Sequence, residues 1–414
     1  MPDQSVKAGS TSKLGTIQGD LRVGRNATIL PESGRKVAVG GTAYFEGPVT
    51  IGCDFECEKM RVEGRGFGPS GDVVVKGSLF AHGDLEIDAS AEVQGTVTAE
   101  RVDVGGHLGS MGVVSKAVRV GGHMRTRGNL KADDVDVGGH MTATGDVDIS
   151  NLHVGGHAEI GGGTIRGEVK VRGHFRTLGK LSYGTVQVYG HLSLPAGSRG
   201  DSVTAFGRVE FEGDSQCRNL EVNGVAKAQG NLETSSLKVN GKLDVKGSLK
   251  VRDKFEVLGS ADAKNLIECG NLAVGGRLTA DRVESSGVAE VGGQVWTKRG
   301  LKAREVAVGA GSRVDGPIIG EAIEIGKGVV SGGFWAHAST LHTLGHLTRV
   351  GDVYGKDVRV ERYSQAKRIY GETVRMQAGS MADEVTYSKG ADLSEGVHLE
   401  KPSKKVDRLP GAPF

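Results

Sequence analysis

Six histidines recur at a nearly fixed interval. His107, His123, His140, His157, His174 and His191 follow one another in steps of 16 or 17 residues, and His346 holds the equivalent slot in a distant copy of the same phrase. Imidazole changes charge nearest to neutral pH and is the commonest protein ligand for zinc, nickel and copper. If the interval is one structural repeat, the rings stack ~5 Å apart on neighbouring strands. Such a file can hold metal, or act as a pH-sensitive contact surface, because protonating adjacent rings costs repulsion. The same column continues as Arg208, Val225, Lys242, Ser260, Arg277 and Gln294. A column that accepts Arg and Lys is exposed and polar. It reads first as a solvated ladder, and no metal is assigned to it.

Other chemistry is sparse. The four cysteines are Cys53, Cys57, Cys217 and Cys269; only Cys53 and Cys57 are close, without the second pair that a zinc site needs. They read as buried thiols in a reducing compartment. The Gly-Gly pairs do not make a dinucleotide fingerprint, which requires a strand running into a long helix. Nor do they make a calcium β-roll, since Asp never follows them in register. No Ser/His/Asp, paired-carboxylate or HExxH constellation stands out. No enzymatic activity and no cofactor are expected. Lys and Arg total 52 against 50 Asp and Glu, interspersed, for a net charge of +2. This is not the basic field of a nucleic-acid binder.

The elements that position the histidines are legible in the repeat. Glycine fills 68 of 414 positions and proline only 9, while aromatics are limited to 10 Phe, 7 Tyr and 2 Trp. An aliphatic-x-aliphatic-x-Gly phrase recurs with its second aliphatic at Ile87, Val104, Val120, Val137, Val154, Val171, Val188, Ala205, Val222, Val239, Val257, Val274, Val291, Val308 and Ile325, in steps of 16 to 18. The register continues through Thr343, Val360, Met376 and Leu393. Within one period, residues 169–185 break into three short stretches of alternating apolar and polar residues separated by glycine or polar corners. Alternation means strand, and such short, Gly-rich stretches do not make helices. The fold class is therefore all-β: a three-faced, triangular parallel β-helix solenoid of about 17 residues per turn. About 22 turns at ~4.8 Å each predict a length of roughly 100 Å. The corner glycines are expected where φ is positive or sterics are tight. The outward column Asp103, Arg119, Asp136, His153, Lys170, Gln187 mostly separates like charges, as an exposed ladder requires.

The register loosens over residues 40–87. Phrases end at Val39, Ile51, Val62, Val75 and Ile87, in steps of 12, 11, 13 and 12. Either the motif has moved to another face of the prism, or loops such as residues 64–71 are insertions. Residues 1–13 and 401–414 read as disordered tails flanking a continuous β-helix over 14–400.

The phrases VxVxGxL and GDLxI, repeated over a Gly-punctuated 17-residue period across residues 14–400, resemble the bactofilins. These are polymer-forming cytoskeletal proteins. The resemblance implies a right-handed, three-faced β-helix that assembles without nucleotide, end to end, into non-polar filaments in the cytoplasm. Some bactofilins carry an N-terminal apolar peptide that touches the membrane. Here Val6 and Leu14 are the only Val, Leu or Ile residues among the first 14, which argues against membrane attachment. The chain is also several times longer than the usual bactofilin core.

Self-association follows independently from the fold. A β-helix ends in two open strand edges, each a template for another chain. The expected polymer interface comprises Leu14, Ile17, Leu21 and Val23 at one end, and Val385, Tyr387, Leu393, Val397 and Leu399 at the other. The partner is thus a second copy of the chain, in a structural, polymer-forming scaffold. Two alternatives stand beside it. One is a β-helical enzyme of the acyltransferase or carbonic-anhydrase type using histidines between turns. The other is a surface adhesin-like rod. The N-terminus lacks an apolar export segment, so a cytoplasmic location is expected.

Overall fold

The structure is a computed structural model and describes residues 3–63, 72–327 and 347–414. Among these residues every regular element is a strand and the strand pairings are parallel, most of them between segments 16 to 18 residues apart, with wider steps such as Ile325 to Val360. The chain is a β-solenoid. It divides into two compact units, residues 1–201 with 207–209, and residues 202–206 with 210–414.

In the first unit each turn contributes to three ladders. The anchor ladder runs Val6, Val23, Phe45, Val62, Ile87, Val104, Val120, Val137, Val154, Val171 and Val188, each paired with the next. None of them is more than 5% exposed. After the Gly corner a second ladder carries Ile29, Ile51, Val75 and Val93, and then Leu108, Met124, Met141, Ala158 and Phe175 from the position two residues earlier. The third carries Val39, Cys57 and Ala81, and then, from the position of Leu79 two residues earlier, Val97, Val113, Leu130 and Val147. Inward side chains from three faces meet in a narrow bore filled mainly by aliphatic residues, with single rings such as Phe45, Phe55 and Phe175 fully buried among them.

Of the two readings of the loose segment, the change of face holds. Val39, Ile51 and Val62 lie on three different ladders, so the phrase does change face. The anchor step also lengthens to 22 between Val23 and Phe45, and to 25 between Val62 and Ile87. The first extra length is an irregular loop around Gly34 at φ 68°. Residues 64–71, the expected insertion, lie outside the described residues.

The second unit repeats the design, with anchors Val222, Val239, Val257, Val274, Val291, Val308, Ile325, Val360, Met376 and Leu393. One expected rung is missing from this ladder. Ile325 pairs directly with Val360, so no anchor stands between them; Thr343 itself lies outside the described residues.

The tails also differ from expectation. β1 (Gln4–Val6) and β2 (Thr11–Leu14) complete a first turn with β3 (Thr16–Ile17), and β1 pairs with β4 (Leu21–Val23). The reason is periodic: Val6 stands one period before Val23 and fills the anchor slot. At the other end Lys404–Lys405 pairs with Thr386–Tyr387, and the Phe414 ring lies 5.1 Å from the Arg282 guanidinium carbon. Residues 401–414 are therefore held against their unit by a strand pairing and a cation–π contact.

The corners have a specific steric logic. In the phrase Val-Gly-Gly-His, none of the second glycines has positive φ. Their constraint is contact with the turn below. A Cβ on Gly122, Gly139, Gly156, Gly173 or Gly190 would sit 1.9 to 2.1 Å from the carbonyl oxygen of the preceding corner glycine. That same oxygen accepts the next residue's N–H: His174 N donates to Gly156 O at 2.9 Å, and His123 N to Gly106 O at 2.8 Å. The first glycine of the pair is less constrained. A Cβ on Gly155 would lie 3.6 Å from Val137 O, and the slot holds Arg172 and Tyr189 in later turns. At another corner, Asp and Asn side chains satisfy backbone donors of the following turn. Asp214 Oδ1 accepts the Asn231 N–H at 2.6 Å, and Asn231 Oδ1 accepts the Ser248 N–H at 2.8 Å.

Two measurements check this packing. Gly173→Ala is expected to lower stability by roughly 2 kcal/mol, since backbone must shift to admit the methyl group. Gly155→Ala is expected to be neutral or to stabilise by up to about 1 kcal/mol, because that space is open and the unfolded chain loses freedom. Unfolding midpoints in urea report both. All four cysteines are free and buried, and burial pushes the thiols of Cys57, Cys217 and Cys269 up to about 12. Burial also raises Cys53. A raised pKa leaves each thiol protonated at pH 8, so the native chain is expected to show no fast reaction with a disulfide reagent. All four should titrate after denaturation; a rapidly reacting native thiol contradicts the packing.

Candidate functional site: terminal edges and the histidine file

The N-terminal edge is built by β1, β2 and β3. Among the described residues each pairs on one side only, with the following turn. Along a strand, the N–H and C=O of one residue point to the same side, and those of the next residue point to the other. Gln4 N donates to Asp20 O at 2.9 Å, and Val6 O accepts Gly24 N at 2.9 Å. The Ser5 amide and carbonyl therefore face away from the body. Likewise Ser10 O accepts Thr28 N and Leu14 O accepts Glu32 N, both at 2.8 Å, so the backbone groups of Thr11 and Lys13 face outward.

This edge offers hydrogen-bonding capacity more than apolar area. Val6, Leu14 and Ile17 turn inward and close the bore, at 5%, 3% and 5% exposure. Leu21 and Val23, placed at the edge by sequence, belong to the next rung inward and are wholly buried. The outward-facing Ser5, Thr11 and Lys13 were not singled out from sequence. The signal that reveals them is Val6, one period before Val23, which shows that the repeat begins earlier than Leu14.

The C-terminal edge is of a different character. Leu393 ends the strand Met381–Leu393, Leu399 sits in the strand His398–Leu399, and half-buried Val397 lies between them. Val385 is fully buried and Tyr387 pairs with Lys405, so both are one rung inside. The last strand is Lys404–Lys405, and Lys401 and Pro402 stand in the segment just before it, all four exposed. Exposed lysines and a proline are the residues that blunt a strand edge against further pairing. Lys401 is tied to Glu384 at 3.3 Å.

The histidine file is assembled as a row. His107, His123, His140, His157, His174 and His191 are in-register partners on successive strands of the first unit. Neighbouring ring centroids are 6.2, 4.9, 6.0, 6.1 and 5.7 Å apart, and His123 and His140 are stacked with their planes 7° from parallel. His107, His123, His140 and His174 are exposed; His157 and His191 are half-buried. The glycine corner places them: each second glycine brings the chain close enough for the histidine N–H to reach the turn below. His346 lies outside the described residues. Among the described residues no group of three or more His, Cys, Asp or Glu converges on a point, so the rings form a line along a corner and not a closed cage.

Compared with family models, with curated proteins and with solved structures, the chain matches none.

Proposed function

We propose that the chain is a structural scaffold protein that self-assembles through the strand edges at its ends, without nucleotide. The observation that carries this reading is the unpaired outer side of β1, β2 and β3, where Ser5, Thr11 and Lys13 present backbone donors and acceptors to solvent. Each backbone hydrogen bond formed there contributes about 0.5–1.5 kcal/mol net, and a row of them forms cooperatively once the first pair is in register. Pairing with the C-terminal edge of another copy continues the parallel ladders. Pairing of two N-terminal edges about a twofold axis makes an antiparallel seam. The repeat's resemblance to the bactofilins supports the same function. Four free, buried thiols are in keeping with the cytoplasmic location that belongs to this proposal.

The test uses the full untagged chain in sedimentation velocity and negative-stain microscopy. Filaments or edge-joined oligomers are expected, and a monodisperse monomer at tens of micromolar would overturn the reading. The double variant Ser5→Pro, Lys13→Pro removes two outward N–H groups while leaving the bonds to the next turn in place. It is expected to shift the assemblies to smaller species with an unchanged circular dichroism spectrum. Leu399→Pro does the same at the other edge, where His398 N and Glu400 N make the inward bonds. An effect of both variants means that both edges pair.

A further inference from the structure

We propose that the histidine file is a transition-metal site, in which neighbouring imidazoles bind divalent late first-row cations pairwise, up to three per chain. The spacing carries the argument. A metal–nitrogen bond of about 2.0–2.1 Å and a roughly tetrahedral angle put the centres of two coordinating rings about 5 Å apart. His123 and His140 are 4.9 Å apart, and the other neighbours lie between 5.7 and 6.2 Å. Turning the rings, four of them exposed and two half-buried, about their side-chain torsions brings two lone pairs toward one point. The parallel ladder fixes the backbone on both sides, so the second imidazole is already in place when the first binds.

The flanking charges rank the pairs. On the same outward face, two residues beyond each histidine, stand Arg125 after His123 and Arg176 after His174. Thr142 and Glu159 stand beyond His140 and His157. A cation meets the least repulsion between His140 and His157, which makes this the first pair to fill. Two imidazoles leave the remaining coordination positions to water or to a donor from outside the chain. The ligand class is Zn²⁺, Ni²⁺ or Cu²⁺, the cations imidazole favours.

Adjacency, not histidine number, is the claim, and two triple variants separate them. His123→Asn, His157→Asn, His191→Asn leaves three imidazoles with no neighbours. His107→Asn, His123→Asn, His191→Asn leaves His140, His157 and His174 contiguous. Asn suits stacked positions in this chain, since Asn240 donates to Asn223 at 2.6 Å in another corner column. Equilibrium dialysis of the full untagged chain against Zn²⁺ at pH 7.5, with metal analysis, reads the outcome. The wild type is expected to bind between one and three equivalents. The contiguous variant is expected to keep at least one, with affinity within about threefold, and the spaced variant to bind at least about tenfold more weakly. Equal binding by the two triple variants would overturn the proposal. So would wild-type binding no greater than that of a variant with all six histidines replaced by Asn. Thermal unfolding of each variant confirms that the ladders remain intact.

Discussion

The bond between each corner residue's N–H and the glycine carbonyl one turn below governs the rest of the structure. At His174 the oxygen of Gly156 is reached at 2.9 Å, and a Cβ on Gly173 would stand 1.9 Å from that oxygen. The turn can close only if that position has no side chain. A chain that bends this tightly at every period keeps its strands short and its bore narrow. A narrow bore excludes rings over most of its length and selects Val, Ile, Leu and Ala, which is why glycine is abundant and aromatics are scarce. One ring fits by pairing large with small, since Tyr183 occupies the space where a Cβ on Gly200 would lie, 1.8 Å from it, while Phe45 and Phe55 pack edge to face at 5.8 Å.

The same constraint explains what sits on the outside. Because each residue stacks on its counterpart from the turn below, any side chain type that recurs at the period becomes a file. Charged files often alternate in sign, as Asp103, Arg119 and Asp136 do, although like charges also meet in register, as Glu86 and Asp103 do. A single residue type can also repeat, as in the file of six in-register histidines. The terminal edges are the other consequence, since a ladder that satisfies each strand through its neighbours leaves the first and last strands half satisfied. The two ends manage this differently. Among the described residues the first three strands pair on one side only, with their apolar side chains turned into the bore, while the C-terminal edge carries Lys404 and Lys405 in its last strand and Lys401 and Pro402 just before it.

Much of this was legible in the residues. The period, the three-stranded turn, the Val column and the in-register histidines all follow from local spacing, because a solenoid turns sequence periodicity directly into spatial adjacency. The loose stretch between Val39 and Ile87 was readable as a change of face. What misled was where individual rungs fall, not the number of turns. Ile325 pairs with Val360 without an intervening anchor, and the first rung lies at Val6, not near Leu14. The candidate edge suffered from the same ambiguity. Leu21, Val23 and Val385 have the right type and alternation for an interface, yet they are core, since a sequence cannot say which of many similar rungs is the last.

The residues by themselves determined the ladder: which side chains face inward, which stack, and how far apart they stand, since each depends only on neighbours one period away. Only the tertiary structure decided where the ladder ends and why its corners need glycine. Edge exposure depends on the presence or absence of a further strand, and the corner constraint on a carbonyl in a different turn. Both are contacts between segments that no local pattern encodes.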